Sequence, residues 1–155
     1  MSGVIEQKIS ELGFILPKAV APVANYVPFV TTGKQVMMSG ALPIVDGKPG
    51  FIGQLGADIS VEQGIEAAKL CGLGLLAHAK NAAGGDLDNI ARVLRLGIFV
   101  NSAPGFTDHP KVANGVSDLM VNVFGDAGKH ARFAMGAAQL PFGVAVEVDA
   151  TIELK

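Results

Sequence analysis

One arginine near the end of the chain stands in a stretch that alternates as a β-strand does. Arg132 is followed at alternate positions by Ala134, Gly136 and Ala138, and the intervening set begins with the bulkier Phe133. Because successive side chains of a strand point to opposite faces, the small residues leave space beside the guanidinium, and the bulky set is expected to pack under helices. An arginine beside free space can hold a carboxylate through two parallel charge-assisted hydrogen bonds. The pattern is also compatible with an arginine paired to a neighbouring carboxylate, so both interpretations stay open.

A single glutamate, Glu147, interrupts the valine-rich run that follows. A turn predicted at residues 140–143 makes the two stretches a hairpin, which places Glu147 beside Arg132. A carboxylate at that position can act as a general base or hold a water molecule. It can also be an ion-pair partner or an exposed strand residue.

The other reactive side chains form no recognisable site. His78, His109 and His130 lack the spacing of a zinc site, and no acidic cluster completes one. His130 shares the predicted face of Arg132, where it can reach the pocket mouth or remain a surface residue. The single cysteine, Cys71, lies on the inner pattern of a helix and is predicted to belong to the core. The sequence therefore predicts no metal site.

Composition restricts the class of protein. The chain has 155 residues, of which 50% are hydrophobic and 17% are charged, and this predicts one domain. No apolar run reaches the roughly 18 residues of a membrane helix, and the first residues carry charges where a signal peptide needs an apolar core, which favours a cytoplasmic protein. The net charge of −2 without a basic stretch makes nucleic acid an unlikely partner.

The hydrophobic periodicity predicts the element order α-ββ-α-β-α-ββ. The longest helix begins at Ser60, which forms a capping-box pattern with Gln63, and ends at residues 84–85. In this order the helices cover one face of a single sheet and leave the other face bare. Large exposed apolar faces are rare on monomers, so we expect a homo-oligomer.

Three stretches resemble, in order and spacing, the RidA family, which is also called YjgF or endoribonuclease L-PSP. They are "NYVPFVTTGKQVMMSGALPI", "GIFVN…DHPKVANGV" and "ARFAMGAAQLPFGVAVEVDA". The resemblance implies an α+β, chorismate-mutase-like (ferredoxin-like) fold that assembles as a homotrimer, with helices outside and clefts between subunits. Residues 1–155 would form one such domain, in which residues 1–16 are an N-terminal helical extension.

The resemblance also implies an activity, the hydrolysis of reactive enamines and imines such as 2-aminoacrylate to 2-keto acids and ammonia, without a cofactor. Arg132 matches the family arginine that holds the substrate carboxylate, and Glu147 matches the glutamate that positions water. The matched residues that line the pocket or lie near the cleft are Tyr26, Ser39, Gly40 and Asn114.

The chain departs from the family at several positions. Ala134 stands where many members carry a cysteine, and His130 stands where proline is frequent. The N-terminal helix and the loop at residues 46–58 are additions to the shortest members. Two other functions therefore stay open: a non-catalytic trimer that binds small carboxylates, and the ribonuclease of the family's older name, which the acidic net charge disfavours.

Overall fold

The computed structural model describes residues 3–21 and 23–155. Five strands form one sheet in the order β1-β2-β7-β5-β6, and two short strands form a separate hairpin, β3-β4. The elements are α1 (Val4–Glu11), β1 (Phe29–Thr32), β2 (Gln35–Ala41), β3 (Ile44–Val45), β4 (Lys48–Pro49), α2 (Val61–Ala82), β5 (Ile90–Asn101), α3 (His109–Phe124), β6 (Ala131–Ala137) and β7 (Val146–Leu154). The mixed α+β class and the predicted order are confirmed, and the small hairpin is an addition that the sequence did not predict.

The helices α2 and α3 pack closely on one face of the sheet. Helix α2 begins at the predicted capping box, in which Ser60 and Gln63 each accept a hydrogen bond from the other's backbone. A Cβ added at Gly72 would lie 2.8 Å from Leu119 Cδ2, so the glycine allows the close approach of the two helices. Cys71, a residue of α2, is fully buried in the core, as predicted. Within the described ranges, no helix combines the length and apolar character needed to cross a membrane.

Strand β7 lies in the centre of the sheet because one of its faces is continuously apolar. Val146, Val148, Ala150 and Ile152 are at most 4% exposed beneath the helices. Glu147 and the residues that alternate with this set point to the opposite, open face of the sheet. The strand pairs antiparallel with both β2 and β5, so it connects the two halves of the sheet.

Strand β6 is an edge strand, and the hairpin predicted between β6 and β7 is wrong. Strand β6 pairs parallel with β5, with Arg132 opposite Leu96, and β5 separates it from β7. The connection from β6 to β7 crosses the end of β5 instead of turning back on itself. Asn101, at the end of β5 and 2% exposed, donates from Nδ2 to the carbonyl of Val144 at 3.1 Å. This buried bond holds the crossing segment in place.

The N-terminal helix is shorter than the predicted extension. It ends at Glu11, before Gly13 with its φ of 82°, and the first two residues of the predicted segment lie outside the described part. The carboxylate of Asp88 accepts hydrogen bonds from the backbone N–H groups of Val4 and Ile5, at 2.8 Å each. These bonds satisfy two of the free donors at the start of α1 and attach the helix to the domain.

Candidate functional site

Arg132 lies on the face of β6 that is turned toward α3. Its Nη1 donates to Asn114 Oδ1 at 3.0 Å and to Ser117 Oγ at 2.9 Å, and its Nη2 donates to the carbonyl of Pro110 at 3.4 Å. All three acceptors are uncharged, and in residues 3–21 and 23–155 no carboxylate forms an ion pair with Arg132. These bonds engage three of the five N–H donors of a guanidinium. The exposed side chain is therefore held in place while its charge stays available to an anion.

The two faces of β6 are reversed relative to the prediction. Arg132, Ala134 and Gly136 face the helices, whereas Phe133 and Met135 lie on the open face of the sheet, as the register with β5 shows. Phe133 contacts Phe99 edge to face at 5.2 Å, and the Arg95 guanidinium lies 4.8 Å from its ring. The aromatic side chain finds its packing partners there and not under α3.

The small residues of β6 are required by the close approach of the loop before α3. A Cβ at Gly136 would lie 2.5 Å from Ser102 Oγ and 2.9 Å from His109 Nε2. These two side chains are 3.2 Å apart and cover the strand at this point. Ala134, between Gly136 and Arg132, carries only a methyl group, so no thiol is present at that position.

Glu147 lies on the open face of the sheet, beside a bulge in β2. The pairing of β2 with β7 shifts between Met38 and Ala41, so Ser39 and Gly40 stand unpaired at this point. A Cβ at Gly40 would collide with the Glu147 carboxylate, so the glycine is what allows the carboxylate to lie there. Gly40 and Glu147 are thus brought together within one chain.

Ser39 and Tyr26 belong to the same end of β2. The Ser39 hydroxyl donates to the carbonyl of Val27 at 2.7 Å, and the Ser39 N–H donates to the carbonyl of Pro28 at 2.9 Å. These bonds attach the segment before β1 to the bulge. Tyr26, 56% exposed, directly precedes Val27 in that segment.

The electrostatics around Glu147 favour its protonated form. Burial raises the pKa of Glu147, and the like charge of Asp149 raises the pKa further. Asp149 itself forms an ion pair with Arg95 at 3.3 Å. An open cavity of about 270 Å³ lies beside the carboxylate and is lined by Gly40, Phe99, Leu140, Glu147 and Asp149. A carboxylate with a raised pKa is a stronger base once it ionises.

The predicted site residues therefore fall into two groups. Arg132 and Asn114 lie together on the helix side of the edge strand β6. Ser39, Gly40 and Glu147 lie together at the β2 bulge and the open face. Strand β5 lies between the strands that carry Arg132 and Glu147, and the two side chains point to opposite faces of the sheet, so a single chain does not bring them to one cleft.

Two residues near Arg132 have roles that the sequence did not predict. Ser117 binds Arg132 and also lies 2.9 Å from His130 Nε2. Ser117 follows Asn114 by three positions on α3, and side chains with this spacing share a helix face, so the helical pattern was the signal for its role. His130 reaches Ser117 because a loop brings it next to α3. The path of this loop cannot be predicted from the spacing of residues along the chain.

A metal centre and a reactive thiol find no support in the part of the chain that the structure describes. That part contains no group of three or more histidine, cysteine, aspartate and glutamate side chains that could bind a metal ion. Burial raises the pKa of the Cys71 thiol well above its ordinary value. The thiol donates to the carbonyl of Val146 in the core. A buried, protonated thiol of this kind is a poor nucleophile.

Comparison with known proteins reveals similarity over nearly the whole chain. The family described as "YjgF/chorismate_mutase-like, putative endoribonuclease" matches residues 6–154. Protein TCP17 of Trypanosoma cruzi is 50% identical over 154 residues, which cover 99% of this chain and 96% of that protein. The range matched by the family spans the positions of all the predicted site residues.

Two solved structures have the same fold. The protein Atu1372 of Agrobacterium tumefaciens, described as having unknown function, is 45% identical with a TM-score of 0.93, over 98% of this chain and 93% of that chain. A "putative endoribonuclease" of Shewanella oneidensis is 35% identical with a TM-score of 0.93, over 98% of this chain and 100% of that chain. The mixed fold, with its main sheet and three helices among the described residues, is therefore that of known relatives.

Proposed function

The chain belongs to the YjgF/chorismate mutase-like family, and on this premise we propose that it hydrolyses reactive enamine or imine intermediates of the 2-aminoacrylate type to 2-keto acids and ammonia. One observation carries the proposal: the Arg132 guanidinium is held by three uncharged oxygen atoms and is exposed. A fixed cation with free donors is suited to a small carboxylate. Arg132 would hold the substrate, and Asn114 would hold Arg132.

The proposed site is completed by a second copy of the chain. Arg132 and Glu147 lie on opposite faces of one sheet. The strand of Arg132, β6, is also three strand spacings, about 14 Å, from β2, which carries Ser39 and Gly40. A contact between two different surfaces, the β6 edge of one copy and the β2 side of the next, closes into a ring when it is repeated. We propose that such a ring, a homotrimer in this family, brings Arg132 of one copy to Glu147 of another.

The open face of the sheet supports self-association. Val30, Met37 and Met135 point to this face and are 52%, 49% and 49% exposed. Apolar surface of this kind is typical of an interface between subunits. The same assembly would place Tyr26, Ser39 and Gly40 around the substrate.

The proposed chemistry uses only substrate, water and these side chains. The enamine first takes up a proton and becomes the iminium, whose carbon is electrophilic. Water, held by Glu147, adds to that carbon and passes a proton to the carboxylate. Glu147 returns this proton to the amino nitrogen. The carbon–nitrogen bond then breaks as the hydroxyl oxygen forms the carbonyl, the departing ammonia takes up the hydroxyl proton and leaves as ammonium, and the keto acid remains bound to Arg132. Orientation of the fixed carboxylate against the bound water alone contributes several kcal/mol. No cofactor is needed, and Ala134 offers no nucleophile.

A second function, the binding of small carboxylates without turnover, is favoured by one observation. The group at Arg132 is complete within one chain, whereas the water-holding group is on the opposite face. A protein whose copies do not bring the two groups together would bind a keto acid and hydrolyse nothing. Ribonuclease activity is disfavoured by the net charge of −2.

Freshly generated 2-aminoacrylate tests the proposal directly. Release of keto acid and ammonia is measured for the wild type, Arg132→Ala and Glu147→Gln. The matched control is Arg92→Ala, which removes another exposed arginine that donates to a backbone carbonyl. We expect losses of at least about a hundredfold for the first two variants and none for the control. Equal rates for wild type and Arg132→Ala would contradict the proposal, and tight binding of 2-ketobutyrate without turnover would favour the second function.

A further inference from the structure

A chain of three hydrogen bonds connects Arg132 to a backbone carbonyl through two side chains. Arg132 Nη1 donates to Ser117 Oγ at 2.9 Å, and the same oxygen lies 2.9 Å from His130 Nε2. His130 Nδ1 lies 2.6 Å from the carbonyl oxygen of Gly128. Gly128 packs directly against the backbone of α3, where no Cβ would fit, so the far end of this chain is fixed.

The acceptor at Gly128 determines the direction of the other bonds. A carbonyl oxygen only accepts, so His130 Nδ1 carries a proton, and in the neutral imidazole Nε2 is then an acceptor. Ser117 therefore donates its one hydroxyl proton to Nε2. The lone pairs of the hydroxyl oxygen are left to accept from Arg132.

We propose that His130 is a positioning residue that, by fixing the hydroxyl of Ser117, holds Arg132 in the orientation that binds a carboxylate. A helical serine without such a partner turns its hydroxyl toward the carbonyl of the preceding turn. Arg132 would then lose one of its three supports, and Asn114 would be left as its main side-chain acceptor. This inference rests on the proposed function in one respect only, namely that the anion at Arg132 is a carboxylate substrate.

Two conservative variants separate the role of Nε2 from that of Nδ1. His130→Asn places an amide N–H near the position of Nδ1, so it keeps the bond to Gly128 and loses the partner of Ser117. His130→Gln extends its amide oxygen to the position of Nε2 and keeps that partner. If His130 only anchors the loop, the Asn variant should behave like the wild type. If His130 positions Ser117, the Gln variant should behave like the wild type instead.

The first measurement uses the unliganded protein and needs no activity. At a pH at which the His130 imidazole is neutral, heteronuclear NMR should find its proton on Nδ1 and slow rotation of the Arg132 guanidinium. His130→Asn and Ser117→Ala should both speed that rotation, and His130→Gln should not. A proton on Nε2, or equal behaviour of the Asn and Gln variants, would overturn the inference.

The second measurement is binding of 2-ketobutyrate together with steady-state kinetics on 2-aminoacrylate. His130→Asn and Ser117→Ala should each weaken binding and raise KM about five- to tenfold, with kcat within about twofold because Glu147 is unchanged. The double variant, His130→Asn with Ser117→Ala, should bind 2-ketobutyrate no more weakly than either single variant. Additive losses of affinity would show that the two residues act on Arg132 independently and would contradict the inference. If the wild type neither binds the keto acid nor hydrolyses the imine, the proposed function fails, and the NMR result still decides the role of His130.

Discussion

Arg132 and Glu147 point to opposite faces of the same sheet, from strands β6 and β7 that β5 separates. The arginine is held by side chains of α3, and the glutamate lies against Gly40, where a larger residue would displace it. In the proposed function these two groups are half-sites, which form one site when copies of the chain meet.

Mixing two inactive variants tests this arrangement. Arg132→Ala retains Glu147, and Glu147→Gln retains Arg132, so an interface with the intact half of each restores a complete site. An active interface needs Glu147→Gln on the side that supplies Arg132 and Arg132→Ala on the side that supplies Glu147. When equal amounts assemble at random, about a quarter of the interfaces meet both conditions, so about a quarter of the wild-type activity should be recovered. The variants are unfolded, mixed and refolded, and activity is then measured.

The control for this experiment is the double variant, refolded with either single one. It supplies no complete interface, so it should recover nothing. An absence of recovery with the two single variants, in assemblies shown to be mixed, would mean that both residues act from the same chain or that they do not act together.

Gly40→Ala should slow turnover much more than it weakens carboxylate binding. The added Cβ collides with the Glu147 carboxylate and displaces it, but Arg132 is untouched. We expect kcat to fall at least about tenfold, with the Kd for 2-ketobutyrate within about twofold. The control is Gly74→Ala, whose Cβ would be in ordinary contact 3.8 Å from Ala41. In the middle of α2 this change should keep activity and stabilise the fold by about 0.5–1 kcal/mol. Normal kcat for Gly40→Ala would show that the position of Glu147 is unimportant.

Much of the fold was predictable from spacing along the chain. Helix and strand periods apply to residues that are close in sequence. They were enough to predict the Ser60 capping box, the buried face of β7 and the helix α3 that carries Asn114. The partner of β6 was not predictable in this way. It depends on a crossing connection that is held by Asn101, more than forty positions away from the carbonyl it binds.

The sequence suggested the residues of the candidate site but not their arrangement in space. Arg132 and Glu147 were identified from charge within apolar strands, yet the face of Arg132 depends on where Phe133 finds an aromatic partner. The approach of Gly40 to Glu147 depends on a bulge, which no pattern in β2 indicates. His130 acquires its neighbours through a loop. In each case a contact distant in sequence overrides the local pattern.

The pH dependence of hydrolysis should report the surroundings of Glu147. Burial and the charge of Asp149 raise the pKa of Glu147, so the carboxylate ionises at a higher pH than an exposed glutamate, and the rate should rise as pH increases through that raised pKa. Asp149→Asn removes the like charge and should move the rising limb to lower pH. Glu153→Gln, on the same strand but far from the cavity, is the control. If the rising part of the pH–rate profile does not move in Asp149→Asn, Glu147 is not the group whose ionisation controls the rate.

The free energy of unfolding should decrease in mild acid because of His78. This residue lies on α2, its buried Nδ1 has no hydrogen-bond partner in the described ranges, and burial lowers its pKa below the ordinary value of 6.5. The unfolded chain therefore binds a proton at a higher pH than the folded chain, so the stability is full above about pH 6.5 and is lost as pH falls from there through the lowered pKa of folded His78. His78→Leu should reduce the loss, as measured by urea unfolding at about pH 7.5 and about pH 5.5. His109→Gln, which removes a histidine that has a hydrogen-bond partner, is the control. If the wild type and His78→Leu lose the same stability between the two pH values, the acid sensitivity arises from another group.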